Sequence, residues 1–183
     1  LIDVGYDMYL KLLEEAVLEE KGERPQNRAS STADLAVTAN IPESYIESSE
    51  QRMDLYRRIA LIRSEADADD VLDELIDRFG EPPDSVTALV RVALLRGEAG
   101  RAGITDISQK AGVLRFTLSG FDMRRVSELY ARPEYKGRLR VEAGSVPRIS
   151  LKLPPRARVL DEASGFASAW ASTDKYSQDE RGG

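Results

Sequence analysis

Residues 100–120 read GRAGITDISQKAGVLRFTLSG, and the hydrophobic period changes inside them. The stretch GRAG closes a helical pattern. ITDIS (104–108) and GVLRFTLS (112–119) are short, rich in branched residues and set off by glycine, which is how strands read. RLRVEA (138–143) and RISLKL (148–153) have the same character. Between the two pairs, FDMRRVSELYAR (121–132) places Met123, Val126, Leu129 and Tyr130 at helical spacing. Helices before Gly103 and a small, mainly antiparallel sheet with one intervening helix after it predict an α+β domain.

Working upstream, three helices with short connections form a cluster. The helix from Asp84 to about Ala102 would bury Val86, Leu89, Val90, Ala93 and Leu94. The helix before it ends at GEPP (80–83). It starts at DADD with Asp67 as its cap and carries Val71, Leu72, Leu75, Ile76 and Phe79 on its core face. The first of the three, from Ser49 to Ser64, spaces Met53, Leu55, Tyr56, Ile59, Ala60 and Ile62 helically among arginines 52, 57, 58 and 63. Met53, Tyr56 and Ile59 are expected to pack it on the DADD helix, with Arg52, Arg57 and Arg58 in solvent. DLAVTANI (34–41) predicts a short strand before Pro42.

Outside this domain, assigned to residues 34–153, lie three simpler segments. Residues 1–21 form a linking helix with Met8, Leu12, Leu13, Ala16 and Val17 on one stripe and Gly22 at its end. Residues 22–33 have linker composition. The chain after Pro154, residues 154–183, predicts a loose tail with one helix near Leu160 to Ala171. The first residue is Leu1, so the expectation is a piece of something longer.

Composition removes several classes of function. The 183 residues are 42% hydrophobic and 32% charged, too apolar for general disorder and too charged for a membrane protein. No run of about 18 apolar residues occurs, and no export signal is evident. With no cysteine and no histidine, disulfides, thiolate metal sites and the commonest general base are unavailable to the chain. A net charge of −6 argues against whole-surface affinity for nucleic acid. The usual phosphate-binding loops are missing. A calcium loop begun at Asp67 would place Val71 and Arg78 where oxygen ligands are required. The serines have no partner base, and paired carboxylates read best as solvated helix faces.

Two features carry charge in a pattern. Between Arg132 and Arg158 there are eight cations (Arg132, Lys136, Arg138, Arg140, Arg148, Lys152, Arg156, Arg158) against Glu134 and Glu142, a local balance of +6. Such a segment would grip phosphate, although the solvent face of an antiparallel sheet gives the same pattern. In ELIDRFG (74–80), Glu74, Asp77 and Arg78 gather on one helical face opposite Leu75, Ile76 and Phe79. Spacing alone makes Glu74 and Arg78 an intrahelical pair worth about 0.3–0.5 kcal/mol.

IPESYIESSEQRMDLYRRIA (41–60) followed by DELIDRFGEPPDSV (73–86) resembles the C-terminal domain of the bacterial transcription-repair coupling factors, the Mfd family. The resemblance is strong over 34–95 and looser to about 153, and DVGYDMYLKLLEEAV (3–17) is similar to the segment that leaves the family's second motor lobe. It implies a non-catalytic regulatory domain that docks on the parent's UvrB-like module and hides the surface to which UvrA would bind. Glu74, Asp77 and Arg78 would be the contact residues. ATP and Mg would belong to the absent motor, with no cofactor or metal in this segment. RNA polymerase, UvrA and DNA would be partners of the parent, in the cytoplasm and without a membrane. The rival readings are a nucleic-acid-binding module built on 132–158 and a small carboxylate enzyme.

Overall fold

The structure, a computed structural model, describes residues 6–23 and 31–174. In chain order its elements are α1 (Tyr6–Glu20), β1 (Thr32–Asp34), α2 (Ser49–Ala60), α3 (Glu65–Phe79), α4 (Asp84–Arg101), β2 (Ile104–Lys110), β3 (Val113–Leu118), α5 (Met123–Tyr130), β4 (Leu139–Glu142), β5 (Arg148–Lys152) and α6 (Val159–Asp174). A 3-10 turn, Pro133–Tyr135, precedes β4. The fold is α+β, as the period change predicts. No described helix is long and apolar enough to cross a membrane.

The sheet runs β1-β2-β3-β5-β4, antiparallel except where β1 pairs with β2. Alternation puts Ile107, Leu114, Phe116, Ile149 and Leu151 in the core, and Phe116 stacks on Phe166 of α6 at 3.9 Å between ring centres. Ala111 and Gly112 link β2 to β3 with φ of 50° and 76°, the paired positive angles of a tight two-residue hairpin. Nothing in DLAVTANI becomes a strand beyond Asp34. The strand lies earlier, where Thr32, Ala33 and Asp34 align with Asp106, Ile107 and Ser108. Part of the segment read as a linker is therefore in the sheet, and residues 24–30 of it lie outside the described residues.

Helix α4 is the axis of the helical layer and touches α2, α3, α6, β1 and β2. Its sequence is apolar on more than one side, which suits a helix with neighbours all round. Gly97 shows how close one neighbour is: a Cβ there would lie 2.9 Å from Arg63 Cα and 3.2 Å from its carbonyl oxygen. Those are backbone atoms and yield little. Alanine gains about 1 kcal/mol in helix propensity over glycine, whereas overpacking typically costs about 1–3 kcal/mol. Gly97→Ala is therefore expected to destabilise by about 1 kcal/mol net, a thermal midpoint lower by about 2–4 °C. An unchanged or higher midpoint would show that the α2–α3 connection gives way.

Several local expectations are corrected. Ser64, not Asp67, caps α3. Asp67 occupies the third helical position and its carboxylate accepts from the Ser64 and Arg63 amides, while the Ser64 hydroxyl accepts from the Asp67 amide, a reciprocal capping box. Met53 and Tyr56 face α1 instead of α3: Tyr9 donates to Met53 Sδ at 3.0 Å and meets the Tyr56 ring edge-on. Arg52 is bonded rather than merely solvated, its guanidinium donating to the Ile46 and Glu47 carbonyls at 2.7 and 2.8 Å. Leu10, Glu14 and Leu18 form the buried stripe of α1, while Leu12 is 57% exposed and Met8 lies outside the described side chains. α1 thus packs on α2 as part of the fold. After Pro154, the expected helix is present as α6, but packed: Phe166 and Trp170 are buried.

Candidate docking face on the third helix

Helix α3 lies at the edge of the helical layer and buries one narrow stripe, Ala68, Val71 and Leu75. Ile76, one position around the helix from Leu75, is 45% exposed, contrary to its assignment to the core. The end of α3 is held from behind by the IPESY segment. The Tyr45 hydroxyl donates to the carbonyl oxygens of Leu75 (3.2 Å) and Gly80 (2.8 Å), and its ring meets Phe79 at 6.0 Å. Tyr56 in turn accepts the Ile41 amide at 2.9 Å. Much of the motif IPESYIESSEQRMDLYRRIA (41–60) is thus scaffold for the helix that carries the charged cluster.

The three charged residues do not act alike. Glu74 Oε1 accepts from Arg78 Nη1 at 2.9 Å, the intrahelical pair expected from the spacing. Glu74 Oε2 pairs with Arg58 of α2. The carboxylate therefore sits between two guanidiniums and clasps α2 to α3. All three side chains are partly exposed, so the clasp contributes at most about 1 kcal/mol per pair. Arg78 also lies over the Phe79 ring, 4.9 Å from its centre. Asp77 is exposed and makes no ion pair among the described residues. Asp69, Asp70 and Asp73 are exposed on the same helix. Arg58 was beyond the reach of helical spacing because it comes from another helix.

The basic segment is divided by the fold. Arg132 turns toward α6, donating to Ser172 Oγ at 2.7 Å, and Arg138 pairs with Glu162 at 2.7 Å. Arg140 and Lys152 remain exposed on the sheet. For the carboxylate-enzyme reading, Glu98 offers a raised pKa, owing first to burial and then to the negative charge of Glu65, with Arg101 opposing. It lines a small cleft of 280 Å³ with Arg101 and Asp174.

Comparison with known proteins agrees with the fold. The family model described as TRCF domain matches residues 35–128. Transcription-repair-coupling factor of Bacillus subtilis (strain 168) is 34% identical over 117 residues, 63% of this chain and 10% of that protein. The protein of that name from Staphylococcus haemolyticus is 30% identical over 139 residues, covering 74% and 12% of the two. The Myxococcus xanthus protein is 37% identical over 94 residues, 51% and 8%. The chain thus spans about a tenth of the length of these relatives. A crystal structure of the C-terminal domain of transcription-repair coupling factor superposes with a TM-score of 0.70 at 18% identity, covering 81% of this chain and 98% of that one. With the match running from the end of β1 to the body of α5, the chain belongs to the TRCF domain family.

Proposed function

We propose that this domain is a non-catalytic regulatory module of a transcription-repair coupling factor, and that it docks on the parent's UvrB-like module to mask the surface that UvrA binds. One observation carries the reading: Asp77, with no ion pair among the described residues, stands beside exposed Ile76 on a helix whose position is fixed by the Arg58–Glu74–Arg78 clasp and by Tyr45. An exposed charge without an ion pair among the described residues, next to an apolar anchor on a rigid element, suits a contact that must be specific and still release. Arg78 is half-exposed at the rim and Glu74 holds it there. In this reading the domain itself uses no cofactor. ATP and Mg serve the motor elsewhere in the parent, which acts on DNA, RNA polymerase and UvrA in the cytoplasm.

Calorimetric titration of the chain against its own parent's UvrB-like module tests this. Asp77→Arg is expected to weaken binding about 30-fold, the effect of about 2 kcal/mol at a desolvated charge pair. Its thermal midpoint should stay at the wild-type value, because Asp77 is exposed and makes no ion pair among the described residues. Glu74→Ala should instead lower the midpoint slightly. Wild-type binding that Asp77→Arg leaves intact would remove α3 as the docking face.

A further inference from the structure

The sheet has a second face, and the register decides what stands on it. Opposite the buried residues of β3, Arg115 projects to solvent. The pairings Ser108↔Arg115, Arg115↔Ser150 and Arg140↔Ser150 place these four side chains in one row across β2, β3, β5 and β4. One step toward the hairpin, Lys110↔Val113 and Val113↔Lys152 form the next row. The four cations therefore mark the corners of a skewed patch: within each row they stand two strand spacings or about 10 Å apart, the rows are offset by one strand, and the whole spans three strand spacings or about 14 Å across and two residues or about 7 Å along. The tight Ala111–Gly112 turn fixes its open end. These residues line a groove of 780 Å³.

None of Lys110, Arg115, Arg140 and Lys152 makes an ion pair among the described residues, and all four are exposed. Acids stand on the same face beyond the patch: Glu142 opposite Arg148 at the far end, and Asp34 and Asp106 on the β1 side, with Asp34 level with Ser108. The chain's overall −6 does not cancel the patch, since exposed charges farther away than about 8 Å are largely screened at physiological salt. Ser150, between the two guanidiniums, and Ser108, beside Arg115 on β2, are small hydroxyl donors of the kind that contact phosphate oxygens.

We infer that this open face of the sheet binds the phosphodiester backbone of duplex DNA. A protein partner would need an apolar anchor at the centre, and here the only large apolar side chain within the two rows is Val113. A single strand would need aromatic platforms for its bases, and the rows contain no aromatic side chain. Repeated cations and hydroxyls on a broad surface match phosphates read without base contacts. Only two of the four cations, Arg140 and Lys152, lie in the 132–158 segment; Arg115 and Lys110 come from the preceding hairpin.

The test is fluorescence anisotropy of a labelled duplex of about 20 base pairs with the 183-residue chain at low salt. Four phosphate contacts give an expected log–log salt slope of about −3.6. Arg115→Ser combined with Arg140→Ser should reduce the slope by about 2 and weaken binding about 10-fold or more, with the thermal midpoint unchanged. Lys110→Gln with Lys152→Gln should do the same, whereas Arg57→Ser with Arg101→Ser, on helix surfaces, should not. The proposal is overturned by an absence of saturable binding at the lowest salt, or by a slope that the face variants leave intact. It is equally overturned if the unpaired strand binds more tightly than the duplex, or if poly-glutamate of matched charge does so, which would assign the face to single strands or to an acidic protein segment.

Discussion

Trp170→Ala is expected to destabilise the domain by about 3–5 kcal/mol, the usual cost of emptying a buried aromatic site. Trp170 is 1% exposed and lies in the α6 segment that composition marks as tail. Its ring carries the Arg125 guanidinium, 4.0 Å from the ring centre. That guanidinium also donates to Trp170 O at 2.9 Å and Thr173 Oγ1 at 2.8 Å, so the indole and the end of α6 are tied together to α5. Truncation would leave a cavity and remove the apolar wall beneath a partly buried cation. For a chain of this size the midpoint should fall by about 10 °C. In urea the transition should move to lower concentration with an unchanged slope, because the same surface is exposed on unfolding. Arg125→Met, which keeps the packing but loses the cation and its donors, should cost less than Trp170→Ala. A loss below about 1 kcal/mol for Trp170→Ala would mean that α6 can leave without unfolding the rest, and that the tail is peripheral after all.

The helix α6 was expected near Leu160 to Ala171, but its packing was not, and that has a physical cause. VLDEASGFASAWASTD is rich in small residues and has few of the large aliphatics that make a helical stripe obvious. Buried alanines at 163, 167 and 169 let a helix lie close to its neighbours, α4 among them, so the same composition that looks like punctuation serves tight packing. Strands β2, β3, β4 and β5 and helices α2 to α5 were legible because each announces its period locally. Strand β1 was not: it has three residues, and its partners in β2 are 74 positions away, as in the Thr32–Asp106 pairing. The docking face was half legible. Spacing gives Glu74 with Arg78, but Arg58 comes from α2, and the exposure of Ile76 depends on how few neighbours α3 has. The basic sheet face was hidden because the segment 132–158 mixes residues of two destinations, and because Lys110 and Arg115 join it only through cross-strand register.

The pair Arg96–Glu14 was invisible for the opposite reason, since a buried glutamate in α1 makes an apolar stripe look broken. Arg96 is 2% exposed, and its Nη2 lies 3.4 Å from Glu14 Oε2, while Nε donates to Ser31 O at 3.2 Å and the Ser31 amide donates back to Arg96 O at 3.0 Å. One side chain of α4 thus holds both α1 and the residue that leads into β1. Removing one member of such a pair weakens what compensates a charge in a low-dielectric setting, at a cost of up to about 3–5 kcal/mol. Glu14→Leu alone is expected to fall in that range, and Arg96→Met alone is expected to be comparably damaging. The double variant should recover most of the loss, because two apolar side chains avoid the desolvation that the ions suffer. A coupling energy of several kcal/mol in this double-mutant cycle, measured by urea unfolding, would show that α1 and α4 fold as one unit. The helix entering from upstream would then transmit its orientation to the domain rather than merely tether it. Additive single effects below about 1 kcal/mol each would instead return α1 to the role of a loosely attached linker.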